Sequence, residues 1–269
     1  MKKTILITGA TDGIGLETAK RLWTEGADLL LHGRNPAKLE KVADAVSALS
    51  GHGTVETHVA DLSNLSDVAA LAEAVIVKQK KLDVLINNAG VFHIADPILD
   101  NGQDVRFVVN TLAPYLLTKK FMPLLGVESR VVNLSSAAQA AVDLDALRGK
   151  RQLSDGEAYA QSKLALTMWS FALTQQIGDS GPIIISVNPA SMLGSKMVKD
   201  AYGVNGGDLR IGADILTRAA MTDEFADANG KYFDNDRGIF TAPHPDALDE
   251  DKRNEIVAIL ENLLGVFQA

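Results

Sequence analysis

With 269 residues, 46% of them hydrophobic and 22% charged, the chain can bury one substantial core and needs no second domain. A net charge of -8 offers no broad cationic surface for a phosphate backbone, which argues against nucleic acid as a partner. Cysteine is absent, excluding disulfides and thiolate chemistry, and no apolar run reaches membrane-spanning length, so the expectation is a cytoplasmic protein without a membrane partner.

Thr4 to Thr8 is a β-branched and aliphatic run stopped by Gly9, the pattern of a strand buried on both faces. Gly9-Ala10-Thr11-Asp12-Gly13-Ile14-Gly15 follows, and a helical pattern runs from Leu16 to Trp23 before stopping at Gly26. Strand, glycine turn, helix is the context in which backbone N–H groups approach a pyrophosphate under the favourable field of a helix N-terminus. Gly9, Thr11, Asp12, Gly13, Ile14 and Gly15 are thus candidate cofactor residues; a tight turn with no ligand is the alternative.

Asp28 to His32 reads as the second strand. Asn35 as N-cap and Pro36 at the first helical position then begin a helix towards Ser50 and Gly51. At this strand end a carboxylate would accept hydrogen bonds from ribose hydroxyls, whereas an arginine pairs with a 2'-phosphate. Arg34 stands there beside Asn35 with no carboxylate next to it, which favours NADP over NAD. The alternative is an Arg34 that stacks on adenine or lies in solvent.

Thr54 to Val59 is the third strand, ending at Ala60-Asp61-Leu62, and Ser63 is read as the cap of a helix through Val77. Asp61 and Leu62 are placed at the adenine edge, although capping explains an aspartate after a strand equally well. Leu82 to Ile86 is the fourth strand. It enters Asn87-Asn88-Ala89-Gly90, where small and amide residues let a flat cofactor lie close, so Asn88, Ala89 and Gly90 join the candidates. The next helix, roughly Gln103 to Met122, carries Asn110 in a largely apolar setting, where its amide must bond a neighbour or a water.

Arg130 to Leu134 is the fifth strand and delivers Ser135 and Ser136; the mixed-charge stretch Asp143 to Arg151 reads as a loop or short helix near the site mouth. Tyr159-Ala160-Gln161-Ser162-Lys163 then puts a phenol and an ammonium on one helix face about one turn apart. The positive charge is expected to hold the tyrosine closer to deprotonation than a free phenol. That helix continues to about Ile177, and Ile183 to Val187 is a sixth strand turned by Asn188-Pro189-Ala190. Strands alternating with helices at this spacing imply right-handed crossovers. The fold class is α/β: a single-domain, Rossmann-type doubly wound parallel sheet with helices on both faces, spanning residues 1–269.

Residues 191–207 are glycine-rich and irregular, with Met192, Met197 and Tyr202 adding apolar surface; a mobile lid over a substrate and a plain surface excursion both fit. Asp208 to Met221 reads as a helix, Lys231 to Phe233 as a short last strand, and Asp249 to Leu264 as an amphipathic helix through Ile256, Leu260 and Leu263. His32, His52, His58, His93 and His244 form no ligand motif and read as solvated or singly bonded imidazoles, so no metal is expected.

Taken together, the segments from Thr4 to about Pro189 resemble the short-chain dehydrogenase/reductase family. Its cofactor turn matches Thr8-Gly9-Ala10-Thr11-Asp12-Gly13-Ile14-Gly15, its Asn-Asn-Ala-Gly motif matches Asn87 to Gly90, and its helix asparagine matches Asn110. Its active serine, usually the second of a Ser-Ser pair, matches Ser136, and its Tyr-x-x-x-Lys matches Tyr159 and Lys163. The long gap between Ser136 and Tyr159, the phrase Val131 to Ser136 and the late Gly230-Lys231-Tyr232-Phe233 look similar to the retinol-dehydrogenase-like branch. Two departures stand out: Pro189-Ala190 replaces the common Pro-Gly, and Asp12 occupies a place where NADP-dependent relatives often carry a basic residue.

The resemblance implies reversible hydride transfer between NADP(H) and a carbonyl or secondary alcohol, with a lipophilic small-molecule substrate. Ser136 would hydrogen-bond the substrate oxygen, Tyr159 would exchange the proton, Lys163 would lower the phenol's pKa and hold the nicotinamide ribose, and Asn110 would position a water. Pro189 and Met192 complete the cofactor residues that it implies. A homodimer or homotetramer built on the helices of Asn110 and Tyr159 fits the resemblance, while the apolar faces of those helices are equally explained as internal core. The alternative from another class is a dinucleotide-binding redox sensor acting through a protein partner, which would be expected to lack Ser136, Tyr159 or Lys163.

Overall fold

The computed structural model describes residues 2–267; Met1, Gln268 and Ala269, at the ends of the expected 1–269 domain, lie outside them. The strands are β1 (Thr4–Ile7), β2 (Asp28–Gly33), β3 (Val55–Val59), β4 (Val84–Asn87), β5 (Arg130–Leu134), β6 (Ile183–Asn188), β7 (Lys231–Asp234) and β8 (Ile239–Thr241). They form one sheet in the order β3-β2-β1-β4-β5-β6-β7-β8. Pairing is parallel from β3 to β7, and only β8 runs antiparallel to β7. β8 lies outside the expected parallel set because three residues after a turn carry no periodic signal that separates a strand from a loop.

Helices cover both faces, and strand alternation assigns each side chain to one of them. Ile5 and Ile7 point into a core shared with α1 (Gly13–Thr24), α2 (Pro36–Ser47) and α9 (Leu209–Met221), whereas Leu6 between them points to the opposite core. That second core is built by α3 (Leu65–Lys78), α4 (Val105–Phe107), α5 (Ala113–Phe121), α7 (Asp155–Ile177) and α10 (Glu250–Leu264). The short helices α6 (Leu144–Leu147) and α8 (Lys196–Tyr202) lie in the two long connections that follow β5 and β6.

Local chemistry sets the helix ends. Asn35 caps α2 by accepting from the Lys38 N–H at 2.9 Å with Pro36 next to it, and Ser154 and Glu157 form a reciprocal capping box at the start of α7. The cap of α3 is Asn64, which accepts from Ser66 N–H at 3.0 Å, and not Ser63, whose hydroxyl donates to Asp61 at 2.8 Å. α4 and α5 are one rod joined by a π-turn, Val108–Leu112, inside the helix read as continuous from Gln103 to Met122. Asn110 sits in the middle of that turn. The segment 191–207, read as irregular, contains α8, capped by Ser195 and ended by Gly203 in the left-handed conformation at φ +67°.

More than half of α7 is buried because neighbours cover it on several sides. Tyr115 on α5 meets Trp169 edge to face at 5.3 Å between ring centres, and its hydroxyl donates to Glu261 on α10. Lys119 reaches the same carboxylate at 3.2 Å. The apolar faces of α5 and α7 are packed within the chain's own core, α7 against α10 and α5 against α3. None of the described helices is long and apolar enough to cross a membrane.

Candidate active site

β1 is flanked by β2 on one side and β4 on the other, so the strand order reverses beside it and leaves a crevice at the carboxyl ends of the strands. β5 ends there with two serines that do different things. Ser135, buried, turns its hydroxyl to Thr167 on α7 at 2.7 Å. Ser136 lines the same cavity as the Tyr159 phenol, and its Oγ accepts from the Ala138 N–H at 3.1 Å. The Tyr232 hydroxyl donates to the Ser136 carbonyl at 3.0 Å and fixes that residue from β7.

Lys163 comes from one turn further along α7, as its spacing from Tyr159 requires. Its ammonium donates to the Leu134 carbonyl at 2.6 Å and lies 5.7 Å from the centre of the Tyr159 ring. Burial lowers the Lys163 pKa to about 8. Burial also pushes the Tyr159 phenol above its ordinary value; the Ser136 hydroxyl opposes that rise and the nearby Tyr202 phenol adds to it. Desolvation is the largest influence on the phenol, and the Lys163 ammonium beside it is bonded to a backbone carbonyl.

Asn110 is buried and fully engaged. Its Oδ1 accepts from Val91 N–H at 2.8 Å, while its Nδ2 donates to the Val91 carbonyl and to Ser162 Oγ, each at 2.9 Å. Ser162 in turn donates to the Tyr159 carbonyl at 2.7 Å. The asparagine clamps the loop after β4 to α7, and both of its amide hydrogens are used there, leaving only Oδ1 capacity for a water.

The glycine turn and the Asn-Asn-Ala-Gly loop brace one another. Gly9 has φ +66°, and a Cβ on it would lie 2.9 Å from Ala89 Cα; a Cβ on Gly15 would overlap the Asn88 amide and the Gly9 carbonyl. These two glycines serve close packing. Asn88 Nδ2 donates to the Thr8 and Gly9 carbonyls at 2.8 and 3.1 Å, and Ala89 N–H donates to the Thr8 hydroxyl at 3.0 Å. Gly13 is different: a Cβ there would meet nothing nearer than Ser195 at 3.6 Å. The N–H groups of Ile14 and Gly15 in the first turn of α1 have no carbonyl ahead of them in the helix, whereas Leu16 N–H already donates to the Asp12 carbonyl at 3.2 Å, so this end can receive an anion. Gly90 leaves room beside Lys163, where an added Cβ would come within 3.5 Å of the ammonium. An open helix end, with room left by Gly90 beside Lys163, fits a diphosphate followed by a ring.

Other candidates are placed less directly. Asp12 caps α1, accepting from Gly13 N–H at 2.8 Å, and its other oxygen pairs with Lys38 at 2.7 Å. Lys38 holds the carboxyl below its usual range, and a carboxylate at this helix end repels a phosphate, so Asp12 is a cap and not a ligand for one. Thr11 lies on the same turn, with its methyl group against Gly33. Arg34 is exposed at the end of β2. Asn35 uses its side-chain oxygen as a cap, Asp61 accepts from the Ser63 N–H at 2.9 Å in a tight turn, and Leu62 is buried in the core. Any contact from Leu62 to a cofactor must therefore come from its backbone.

Beyond β6, Ala190 keeps φ +108° and Met192 φ +54°, conformations that glycine adopts freely and that cost a side-chain-bearing residue of the order of 1–3 kcal/mol. Pro-Ala thus retains the backbone of Pro-Gly. Asp236 holds the strained turn, accepting from Ser191 N–H at 2.8 Å and from Asn188 Nδ2 at 2.9 Å. Pro189 and Met192 line a cavity of about 180 Å³ with Ser136, Tyr159, Phe92 and Tyr202.

Two features escaped the sequence reading. His32 is neither solvated nor singly bonded: buried, it accepts from Gly9 N–H at 3.2 Å through Nδ1 and donates from Nε2 to the Ala60 carbonyl at 3.1 Å. It ties the glycine turn to the end of β3, and burial lowers its pKa to about 4. Arg106 is wholly buried between Asp104, at 2.5 Å, and Asp155, which His93 also meets at 2.6 Å. No local pattern marks the His32 bridge or the Asp155 and His93 contacts, because those partners lie on other segments; only Asp104 is a sequence neighbour of Arg106.

A dinucleotide-dependent oxidoreductase is the class of protein that this fold and cleft define. Residues 3–203 match the short chain dehydrogenase family, and the chain belongs to it. It is 30% identical over 283 residues to retinol dehydrogenase 13 of Homo sapiens, covering 98% of this chain and 85% of that protein. Against retinol dehydrogenase 12 of Mus musculus the identity is 31%, covering 86% and 77% of the two chains. The chain thus falls in the retinol-dehydrogenase-like branch, whose members are NAD(P)-dependent oxidoreductases acting on alcohols. Among solved structures, an uncharacterized protein from Mycobacterium paratuberculosis superposes with a TM-score of 0.81 at 26% identity, covering 98% and 93% of the two chains. A short chain dehydrogenase from Shigella flexneri 2a str. 301, complexed with NADP, gives 0.68 at 26% identity over 87% and 97%.

Proposed function

We propose that this protein reduces an uncharged, lipophilic carbonyl compound, or oxidises the corresponding alcohol, using NADP(H). The observation that carries the reading is that Ser136 and Tyr159 open onto one cavity lined by no charged side chain, with the buried Lys163 ammonium behind it, 5.7 Å from the centre of the phenol ring. The cofactor, when bound, supplies or accepts the hydride. The chain's residues manage orientation and one proton.

In reduction, the Ser136 hydroxyl donates a hydrogen bond to the substrate oxygen and polarises the carbonyl. Tyr159 passes its phenolic proton to that oxygen as negative charge develops there. The raised phenol pKa keeps the proton on Tyr159 until it is needed, and Lys163, charged below about 8, compensates the phenolate that remains. Asn110 acts by holding the loop after β4 against α7. Arg34, exposed with no carboxylate beside it, is assigned to the 2'-phosphate, and the NADP bound by the Shigella relative supports that choice. Gly13, Ile14 and Gly90 line the path of the dinucleotide.

Turnover of a panel of hydrophobic ketones and aldehydes with NADPH tests this reading, with Tyr159→Phe alongside. Wild type is expected to be active and the variant to lose about 100-fold or more in kcat; a variant of comparable kcat removes Tyr159 as the proton donor. Affinities for NADP and NAD in wild type and Arg34→Ala test the cofactor choice, and an unchanged ratio removes Arg34.

A further inference from the structure

Beside the Tyr159 phenol the cavity wall is made of aromatic rings, and their mounting is unequal. Phe92 meets the Tyr159 ring edge to face, with 4.8 Å between centres and an interplanar angle of 83°. Tyr202 then stacks on Phe92 at 5.9 Å and 16°, extending the wall outwards from the reacting hydroxyl. Met192 and Met197 line the same cavity and supply polarisable thioethers that favour ring contacts.

Phe92 is held from both sides. Val91 before it makes two hydrogen bonds with the Asn110 amide, at 2.8 and 2.9 Å. His93 after it meets Asp155 at 2.6 Å, and Asp155 is anchored by the buried Arg106. Tyr202 is mounted differently: it stands at the end of the seven-residue helix α8, more than half exposed, next to Gly203. One ring is fixed in advance, which reduces the ordering cost of binding, and the other can adjust to what lies against it.

We propose that Phe92 and Tyr202 are specificity-determining residues that select carbonyl compounds carrying an aromatic ring next to the reacting carbon over saturated compounds of the same size. This rests on the carbonyl-reductase reading above and names the substrate class of that same site. Aromatic surface, sulfur and the absence of charged side chains leave shape and π-contact as the means of discrimination.

The test is a matched pair, acetophenone and cyclohexyl methyl ketone, reduced with NADPH by the full chain. The ratio of their kcat/KM values cancels loss of folded protein and general damage to catalysis. Phe92→Leu and Tyr202→Leu are each expected to lower the acetophenone preference about 3- to 10-fold, Tyr202→Phe to retain it, and the double leucine variant to fall short of the product of the single effects. An unchanged ratio in both leucine variants overturns the proposal and leaves the reductase reading standing. Two independent, fully multiplicative effects overturn the idea of one stacked wall. Failure of wild type to reduce either ketone, with Tyr159→Phe equally silent, overturns the underlying reading and this proposal together.

Discussion

His32 gives the sharpest quantitative test, since its protonation would break a contact at the cofactor turn. The imidazole is buried, and its folded pKa is about 4 against 6.5 for a free histidine. An unfolded chain takes up a proton below 6.5 that the native chain refuses until about 4, so stability is full above that window and falls as the pH drops through it. By pH 5 the loss is about 2 kcal/mol, at ~1.36 kcal/mol for each tenfold change in proton activity. The assay is urea unfolding at pH ~7.5 and pH ~5 for wild type and His32→Gln, which keeps a donor and an acceptor but does not titrate. His58, whose pKa burial also lowers, adds to the wild-type slope, so the difference between the two proteins is the quantity to read. His32→Gln is expected to lose about 2 kcal/mol less than wild type over that interval. An identical loss in both would refute the claim that His32 is held neutral between Gly9 and Ala60.

Arg106→Met should cost about 3–5 kcal/mol in chemical unfolding, because it leaves the buried Asp104 carboxylate without its partner. Pairing it with Asp104→Asn should restore part of that loss, and a single-variant cost under about 1 kcal/mol would show that the pair is dispensable. Since α10 packs on α7 and α3 on α5, light scattering should give the monomer mass of 28.7 kDa; a stable dimer would show that some other surface is used.

Motif order was legible because the family's turns are local. The run Gly9 to Gly15 must bend tightly between a strand and a helix, and only glycine tolerates φ +66° at Gly9 without strain. Tyr159 and Lys163 share a face through helical period alone. Ser136, chosen over Ser135 by analogy, is the hydroxyl that acts on the phenol, while Ser135 faces Thr167. Less legible were the elements with weak periodicity: α8 within 191–207, the three-residue β8, and the π-turn that places Asn110 between Val91 and Ser162.

By itself the sequence determined the alternation of strand and helix, the glycine turn and the residue types able to move a proton, since periodicity, capping and backbone freedom act over a few residues. Tertiary structure alone decided their electrostatics and their neighbours. Burial of Tyr159 and Lys163 raises one pKa and lowers the other, and His32 bridges Gly9, 23 residues before it, and Ala60, 28 residues after it. Phe92 and Tyr202, from separate connections, become one wall. Desolvation and long-range contact depend on what packs around a group, and no window of sequence contains that.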